Sequence, residues 1–365
     1  MKALSGYFFT GFPGFICQEL VRELLATKKD ISDVFLLVLP TQKSMSLPVI
    51  QSYQRMYPQT AFHLIEGDIT QPDLMMKDDD QQRVSERTHY VFHLAAIYDL
   101  AVKKEIAFEV NVNGTREVLR WLKSVPGLKR FMYFSTAYVA GRRDGKILER
   151  ELVHKFPFKN HYEETKYLAE VLVEKEKINL PITIIRPGIV KGHSQTGETS
   201  KFDGPYMMLN FLYSLRFLPL IPHLGKGDAE FNVVPIDYIV KSTCFLTHSG
   251  RALGRTFHLT NPEPITIREA YRVLMDKLLK KEPKGSIPLP FAKTFLRVPT
   301  ARKWLKVERE ALDYFTWKGS FDCTEARTIL GDAGIICPPF HLTADTMVKY
   351  YNEHRSDTMK HIHIS

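Results

Sequence analysis

Cysteine is scarce in this chain of 365 residues: there are four, Cys17, Cys244, Cys323 and Cys337, widely spaced and with no CxxC pair. That spacing excludes a disulfide framework or a structural zinc site and points to reduced thiols in a reducing compartment. Also missing is any long uncharged apolar run. The most apolar stretch, Tyr206 to Pro222, contains Asn210, Arg216 and two prolines and falls short of a membrane-spanning length. It reads as a substrate-side helix with a following loop, and leaves a peripheral membrane contact open. The N-terminal MKALSGYFFTG leads straight into a strand, with no room for a cleavable signal peptide, so a cytoplasmic location is expected. Zinc-finger spacing, an RNP-like aromatic motif and a basic arm are all lacking. No nucleic-acid partner is therefore expected, despite a formal charge of +9. Dispersed positive charge suits a dinucleotide or a coenzyme A-type phosphate equally well.

What is present is ordinary globular composition, 44% apolar and 25% charged, in a chain long enough for a large α/β unit and a smaller lobe. Short apolar runs alternate with helical patterns through the first two-thirds, the signature of a Rossmann-type, doubly wound parallel sheet. Strands are expected at Tyr7–Thr10, Val34–Leu39, Ala61–Ile65, Tyr90–Leu94, Phe131–Ser135 and Pro181–Ile185, and helices at Phe15–Lys28, Glu105–Leu122 and Tyr162–Glu176. A further pair of short strands flanks a helix near Ile236–Phe245. The chain therefore divides into 1–190, mainly a dinucleotide-binding domain, and 191–365, mainly a helical C-terminal substrate lobe, with 230–260 interleaved into the first. Lys280 to Pro299, with four prolines, reads as an excursion or lid.

The first strand runs into Thr10-Gly11-Phe12-Pro13-Gly14-Phe15-Ile16-Cys17, which then opens a helix. Gly11 permits a tight turn and Gly14 lets a pyrophosphate approach the amides of the helix N-terminus. Cys17 stands where a third glycine is usual. The second strand ends Leu37-Val38-Leu39-Pro40-Thr41-Gln42-Lys43-Ser44, without the acid that would bind ribose hydroxyls. Its absence, with Lys43 and Ser44 available to a 2′-phosphate, favours NADPH, with NADH as the alternative. Asp68, followed by Ile69 after the third strand, is placed to accept from the adenine amino group. Ala95 and Ala96 supply small side chains beside the dinucleotide, and His93 reads as a packed, hydrogen-bonded residue.

Tyr162 and Lys166 lie four residues apart on one helical face, downstream of Ser135-Thr136-Ala137-Tyr138. A lysine field beside the phenol and a threonine hydroxyl beside a substrate carbonyl would let Tyr162 give a proton as hydride arrives. With TGFPGFIC, FHLAA, NVNGT, STAYVAG, YEETK, IIRPG and NVVPIDYIV in order, residues 6–260 resemble the extended short-chain dehydrogenase/reductase family. The blocks STAYVAG, FKNHYEETKYLAE and RPGIVKGHSQTGETSKFDGPY are similar to those of its thioester-reductase-like and fatty-acyl-reductase-like (male-sterility-type) members. The resemblance implies Thr136, Tyr162 and Lys166 as the catalytic hydroxyl, acid/base and cofactor-orienting lysine. It also implies Asn111 as a supporting residue, Pro187 and Gly188 bordering the nicotinamide, and a homodimer. Cys17 and Pro40 depart from its pattern; Pro40 stands near where NADPH-using relatives often carry an arginine.

The expected activity is NADPH-dependent reduction of a hydrophobic acyl thioester, bound to coenzyme A or a carrier protein, or of its aldehyde. Met207, Met208, Phe211, Leu212 and Leu215 form the greasy face expected to line an acyl channel. The alternatives are an NAD(P)-dependent ketone reductase or alcohol dehydrogenase with a hydrophobic substrate, and a non-enzymatic NADPH-binding regulatory protein.

Overall fold

The computed structural model describes residues 4–99 and 101–362. Seven strands form one wholly parallel sheet: β1 (Ser5–Thr10), β2 (Ile31–Val38), β3 (Ala61–Glu66), β4 (Thr88–His93), β5 (Arg130–Phe134), β6 (Ile182–Pro187) and β7 (Thr256–Leu259). Their spatial order is β7-β6-β5-β4-β1-β2-β3. Every residue of β1, β5 and β6 is buried, because helices cover both faces and the strands must be apolar on both sides. On one face α1 (Phe15–Thr27) packs Leu20, Val21 and Leu24 against the sheet beside Ile239 and Leu246. On the other, Val118 and Trp121 of Gly114–Leu122 pack with Ala169 and Val173.

Between β2 and β3 runs a helix that the strand pattern had not disclosed, α2 (Lys43–Met56), preceded by the 3₁₀ turn Pro40–Gln42. Lys43 and Ser44, expected to meet a 2′-phosphate, lie in the first turn of this helix. After β4, Lys104–Ala107, Phe108–Asn113 and Gly114–Leu122 follow one another directly, the middle segment wound as a π-helix. The helix that carries Tyr162 and Lys166 is α3 (His161–Glu176), starting one residue earlier than expected. The Asn160 side chain accepts from the Glu163 amide at 2.9 Å and caps it, and Glu163 and Glu164 place negative charge at its positive end.

After β6 the chain builds a second core. Helices α4 (Tyr206–Ser214), α5 (Ile236–His248), α6 (Ile267–Leu279) and α7 (Phe340–His354) follow; α5 returns to the main sheet beside α1, and the other three build the second core. Phe202, Leu209 and Leu212 pack there with Tyr271, Leu274 and Met347. The strands flanking α5 have different partners: Val233–Pro235 pairs with Ile189–Lys191, whereas β7 joins the edge of the main sheet beside β6. Within the apolar stretch Tyr206–Pro222 the helix ends at Ser214 and loop follows. Beyond α6, the strand Ser286–Ile287 pairs with His223–Leu224, and the helices Leu289–Phe295 and Pro299–Leu305 form a strap with its own small core of Leu289, Leu296, Leu305 and Leu312. Among the described residues no helix is long and apolar enough to cross a membrane.

Candidate active site

The sheet order reverses between β1 and β4, and a crevice opens there at the carboxyl ends of the strands, where open α/β sheets bind their ligands. The loop between β1 and α1 fits a dinucleotide. Gly11 has φ +90°, and a Cβ there would meet the Ala95 amide nitrogen at 2.7 Å. A Cβ on Gly14 would lie 2.7 Å from the Gly11 carbonyl oxygen, which instead accepts from the Gly14 amide at 2.8 Å. No side chain caps the start of α1, leaving its first amides directed at the crevice. Cys17 is buried against the sheet, with desolvation holding its thiol well above its usual range, so it fills the third-glycine position as a small apolar residue.

Thr10, Gly11, Phe12, Gly14, Phe15 and Ile16 all line one cavity of ≈ 1970 Å³, as do Asp68, Ile69, Ala95, Ala96, Pro187 and Gly188. Pro13 does not line it; its carbonyl accepts from Gln18 Nε2 at 2.6 Å. Nor does Lys43, which opens α2 with its ammonium ion-paired to Glu66 at the end of β3. The residue of that turn that faces the cavity is Gln42. Asp68 accepts from the amide and hydroxyl of Thr70, at 2.9 and 2.8 Å, which fixes its loop beneath the crevice.

His93 is a packing residue, as its sequence context indicates. It is bonded to Thr10 Oγ1 at 2.7 Å through Nδ1 and to Thr115 Oγ1 at 3.0 Å through Nε2, and burial pushes its pKa down to about 3. Thr115 donates to the Asn111 carbonyl at 2.7 Å, so the imidazole is neutral, with Nε2 the donor to Thr115 and Nδ1 the acceptor from Thr10.

Thr136, Tyr162 and Lys166 meet on the wall of the same cavity. Thr136 follows β5, its hydroxyl oxygen accepting from the Tyr138 amide at 3.3 Å. Burial holds the Tyr162 phenol above its ordinary range, Glu163 adds to that, and a hydrogen bond with Thr136 opposes both. The lowering influence expected from Lys166 thus comes from Thr136, and the phenol keeps its proton at neutral pH. The Lys166 ammonium donates to the Phe134 carbonyl at 2.6 Å and lies 4.6 Å from the Tyr133 ring centre. Desolvation lowers its pKa to about 8, against the charge of Glu170. Asn111 lies behind the cavity rather than on it. It sits in the π-turn, where its Oδ1 accepts from the Ile97 amide at 2.9 Å and its Nδ2 donates to Thr165 Oγ1 at 3.0 Å. It ties the loop after β4 to the turn of α3 that carries Lys166.

Several cavity residues escaped the motif reading. Tyr98 meets the Tyr162 ring edge-on, with centroids 5.1 Å apart and planes at 85°. Asp99, Asp203 and Glu308 add carboxyl groups to the same wall. Burial and then the charges of Asp99, Glu310 and Asp203 raise Glu308 to about 7, while burial raises Asp203 to about 6. Asp203 falls inside the block RPGIVKGHSQTGETSKFDGPY; Glu308 lies in a segment with no motif at all. Farther out the wall is apolar: Met207, Met208, Phe211 and Leu215 of the α4 region face Phe291 and Phe295 of the strap. Leu212, expected beside them, turns into the core of the second lobe.

This sheet order and glycine turn define the class: a dinucleotide-binding fold of the extended short-chain dehydrogenase/reductase type. More particularly, the chain belongs to the male sterility protein family, whose model matches residues 9–243. It is 26% identical over 277 residues to the fatty acyl-CoA reductase wat of Drosophila melanogaster, covering 65% of this chain and 53% of that protein. To fatty acyl-CoA reductase 2 of Homo sapiens it is 25% identical over 277 residues, covering 63% and 52%. The chain thus spans about half the length of these relatives. Among solved structures, the terminal R domain of the myxalamid PKS-NRPS pathway superposes with a TM-score of 0.77 at 25% identity, over 98% of this chain and 92% of that one.

Proposed function

We propose that the chain reduces a hydrophobic acyl thioester, or the corresponding aldehyde, with NADPH. The observation that carries this reading is the continuity of the cavity. One space runs from Gly11 and Gly14 past Tyr162 to an apolar wall of Met207, Phe211, Phe291 and Phe295. A polar sugar nucleotide would leave that wall unsatisfied, whereas an acyl chain gains about 0.8 kcal/mol for each methylene it buries.

A bound nicotinamide supplies the hydride. The chain's own residues do the rest. The α1 amides and the Gly11–Gly14 turn hold the pyrophosphate, and Lys166 turns its ammonium toward the ribose. Thr136 orients the carbonyl, and Tyr162, protonated at neutral pH, gives its proton to the oxygen as negative charge develops there. With a thioester the product of this first addition is a hemithioacetal, which collapses to aldehyde and free thiol. The NADPH preference is supported by the lack of an acid after β2 and by Lys43, which its flexible stem can bring round from Glu66. Curated relatives named as fatty acyl-CoA reductases support the substrate class.

A test is NADPH consumption measured against acyl-coenzyme A, aldehydes, ketones and nucleotide sugars side by side. Turnover confined to ketones or nucleotide sugars would overturn the reading, and no turnover on any of them would favour a regulatory NADPH-binding role.

A further inference from the structure

The cavity has a mouth built from residues that lie on its wall and on the protein surface at once. Leu218, Phe291, Phe295 and Trp304 line the cavity, yet are 45%, 70%, 53% and 54% exposed. Phe217, Leu220 and Val298 extend this apolar rim outward, at 78%, 58% and 48% exposure, without lining the cavity. The two halves of the rim are joined. Lys281 Nζ donates to the carbonyls of Arg216 and Leu218 at 2.9 and 3.0 Å, Ser214 Oγ donates to the Trp304 carbonyl at 3.1 Å, and Ser286–Ile287 pairs with His223–Leu224.

Charge is concentrated on the same strap. Residues 280–306 hold eight Lys and Arg against the single acid Glu282, a net +7 within a chain of net +9. Lys280, Lys284, Arg297 and Lys303 among them are exposed. Arg216 stacks its guanidinium 3.9 Å from the ring centre of Phe217. Folding has therefore left aromatic and aliphatic side chains projecting outward through a collar of cations, around the opening of an apolar cavity.

We infer that this rim is a docking surface for an anionic lipid bilayer, from which the acyl substrate passes into the cavity. Projecting Phe, Trp and Leu side chains enter the boundary between headgroups and acyl chains, while the surrounding Lys and Arg meet anionic headgroups. Seated this way, the mouth opens onto the phase in which long acyl chains dissolve, so the substrate need not cross water. The inference rests on the acyl-substrate reading for its purpose, but not for its measurement.

The test is co-sedimentation of the full chain with vesicles of phosphatidylcholine alone and of phosphatidylcholine mixed with phosphatidylserine. Wild type is expected to sediment with the anionic vesicles and much less with the neutral ones. The combined variant Phe217→Ser, Leu220→Ser and Val298→Ser is expected to lower the bound fraction at least about tenfold, since three exposed apolar anchors are lost. Arg297→Glu with Lys303→Glu should remove the advantage of anionic over neutral vesicles. Both variants alter surface positions off the cavity wall, so turnover of a short, water-soluble acyl thioester should be unchanged; NADPH binding to each confirms the fold. No sedimentation of wild type with either vesicle, or equal sedimentation of wild type and both variants, overturns the inference. Vesicle binding without turnover of any acyl thioester or aldehyde would instead leave the docking surface standing and sink the proposed reaction.

Discussion

Glu170 Oε1 accepts from both Nε and an Nη of Arg186, at 2.8 and 2.6 Å, with neither side chain more than 2% exposed. The other carboxylate oxygen is hydrogen-bonded to Ser135 Oγ, and the remaining guanidinium nitrogen donates to the carbonyls of Glu149 and Glu151 and meets His258 Nε2. The pair thus staples α3 to β5 and β6 one turn beyond Lys166. Glu170→Gln strands the Arg186 charge in the core and is expected to destabilise the fold by about 3–5 kcal/mol. Urea denaturation of the two proteins measures this; a loss below about 1 kcal/mol would show that water reaches the site.

Tyr162→Phe keeps the ring, and with it the edge-on contact to Tyr98, but removes the proton donor. Turnover of an aldehyde should fall at least about a hundredfold with NADPH affinity nearly unchanged, given the usual contribution of a positioned acid. Lys166→Ala should impair both turnover and cofactor binding, and Thr136→Val mainly turnover. Because expulsion of a thiol follows the first addition, thioester and aldehyde are assayed separately. A folded Tyr162→Phe protein with wild-type rates on both substrates would remove Tyr162 from the chemistry.

Lys43 offers a quantitative choice between two partners. An exposed ion pair such as that with Glu66 is screened by solvent and weak, whereas a hydrogen bond to a charged phosphate is markedly stronger. A 2′-phosphate is therefore expected to outcompete Glu66 for the ammonium. Lys43→Ala is expected to weaken NADPH about tenfold or more, as loss of a hydrogen bond to a charged group does, and to leave NADH nearly unaffected. Fluorescence titration of both cofactors decides it, and equal losses would leave Lys43 as a surface partner of Glu66 alone.

Acyl chain length reads the apolar wall. Shortening the substrate should lose about 0.8 kcal/mol in kcat/KM per methylene while the removed group still lies in the cavity, and Phe211→Ala should flatten that slope. A slope near zero in the wild type would assign Phe211 and Met207 to packing.

Glu308 gives stability a pH dependence of definite sign. Its carboxyl titrates near pH 7 when folded against an ordinary value of 4.5, so between these values the folded chain holds a proton that the unfolded chain has released. That contribution is complete below about pH 4.5 and is lost as pH rises through 7. Glu308→Gln should accordingly gain stability relative to wild type on going from pH 5 to pH 8, as denaturant midpoints at the two values will show; a constant difference would mean that the carboxyl titrates normally.

The parallel sheet, the glycine turn and the tyrosine–lysine spacing were legible in the sequence because each depends on local rules. Continuous apolar runs mark strands buried on both faces, Gly11 and Gly14 meet backbone constraints at fixed offsets, and Tyr162 and Lys166 share a helix face by periodicity alone. The apolar face of α4 was legible only in part. Periodicity placed Met207, Phe211, Leu212 and Leu215 together, but the packing of α6 and α7 drew Leu212 into a second core and left the others to the cavity. Helix α2 was obscured by Pro40 and Pro48, the second of which lies inside it. The pairing of Lys43 with Glu66 joins residues on separate elements, and so do the gathering of Asp99, Asp203 and Glu308 and the cationic, aromatic mouth around the strap. Such contacts depend on distances in space between segments far apart in the chain, which no local pattern encodes, and tertiary packing alone decided them.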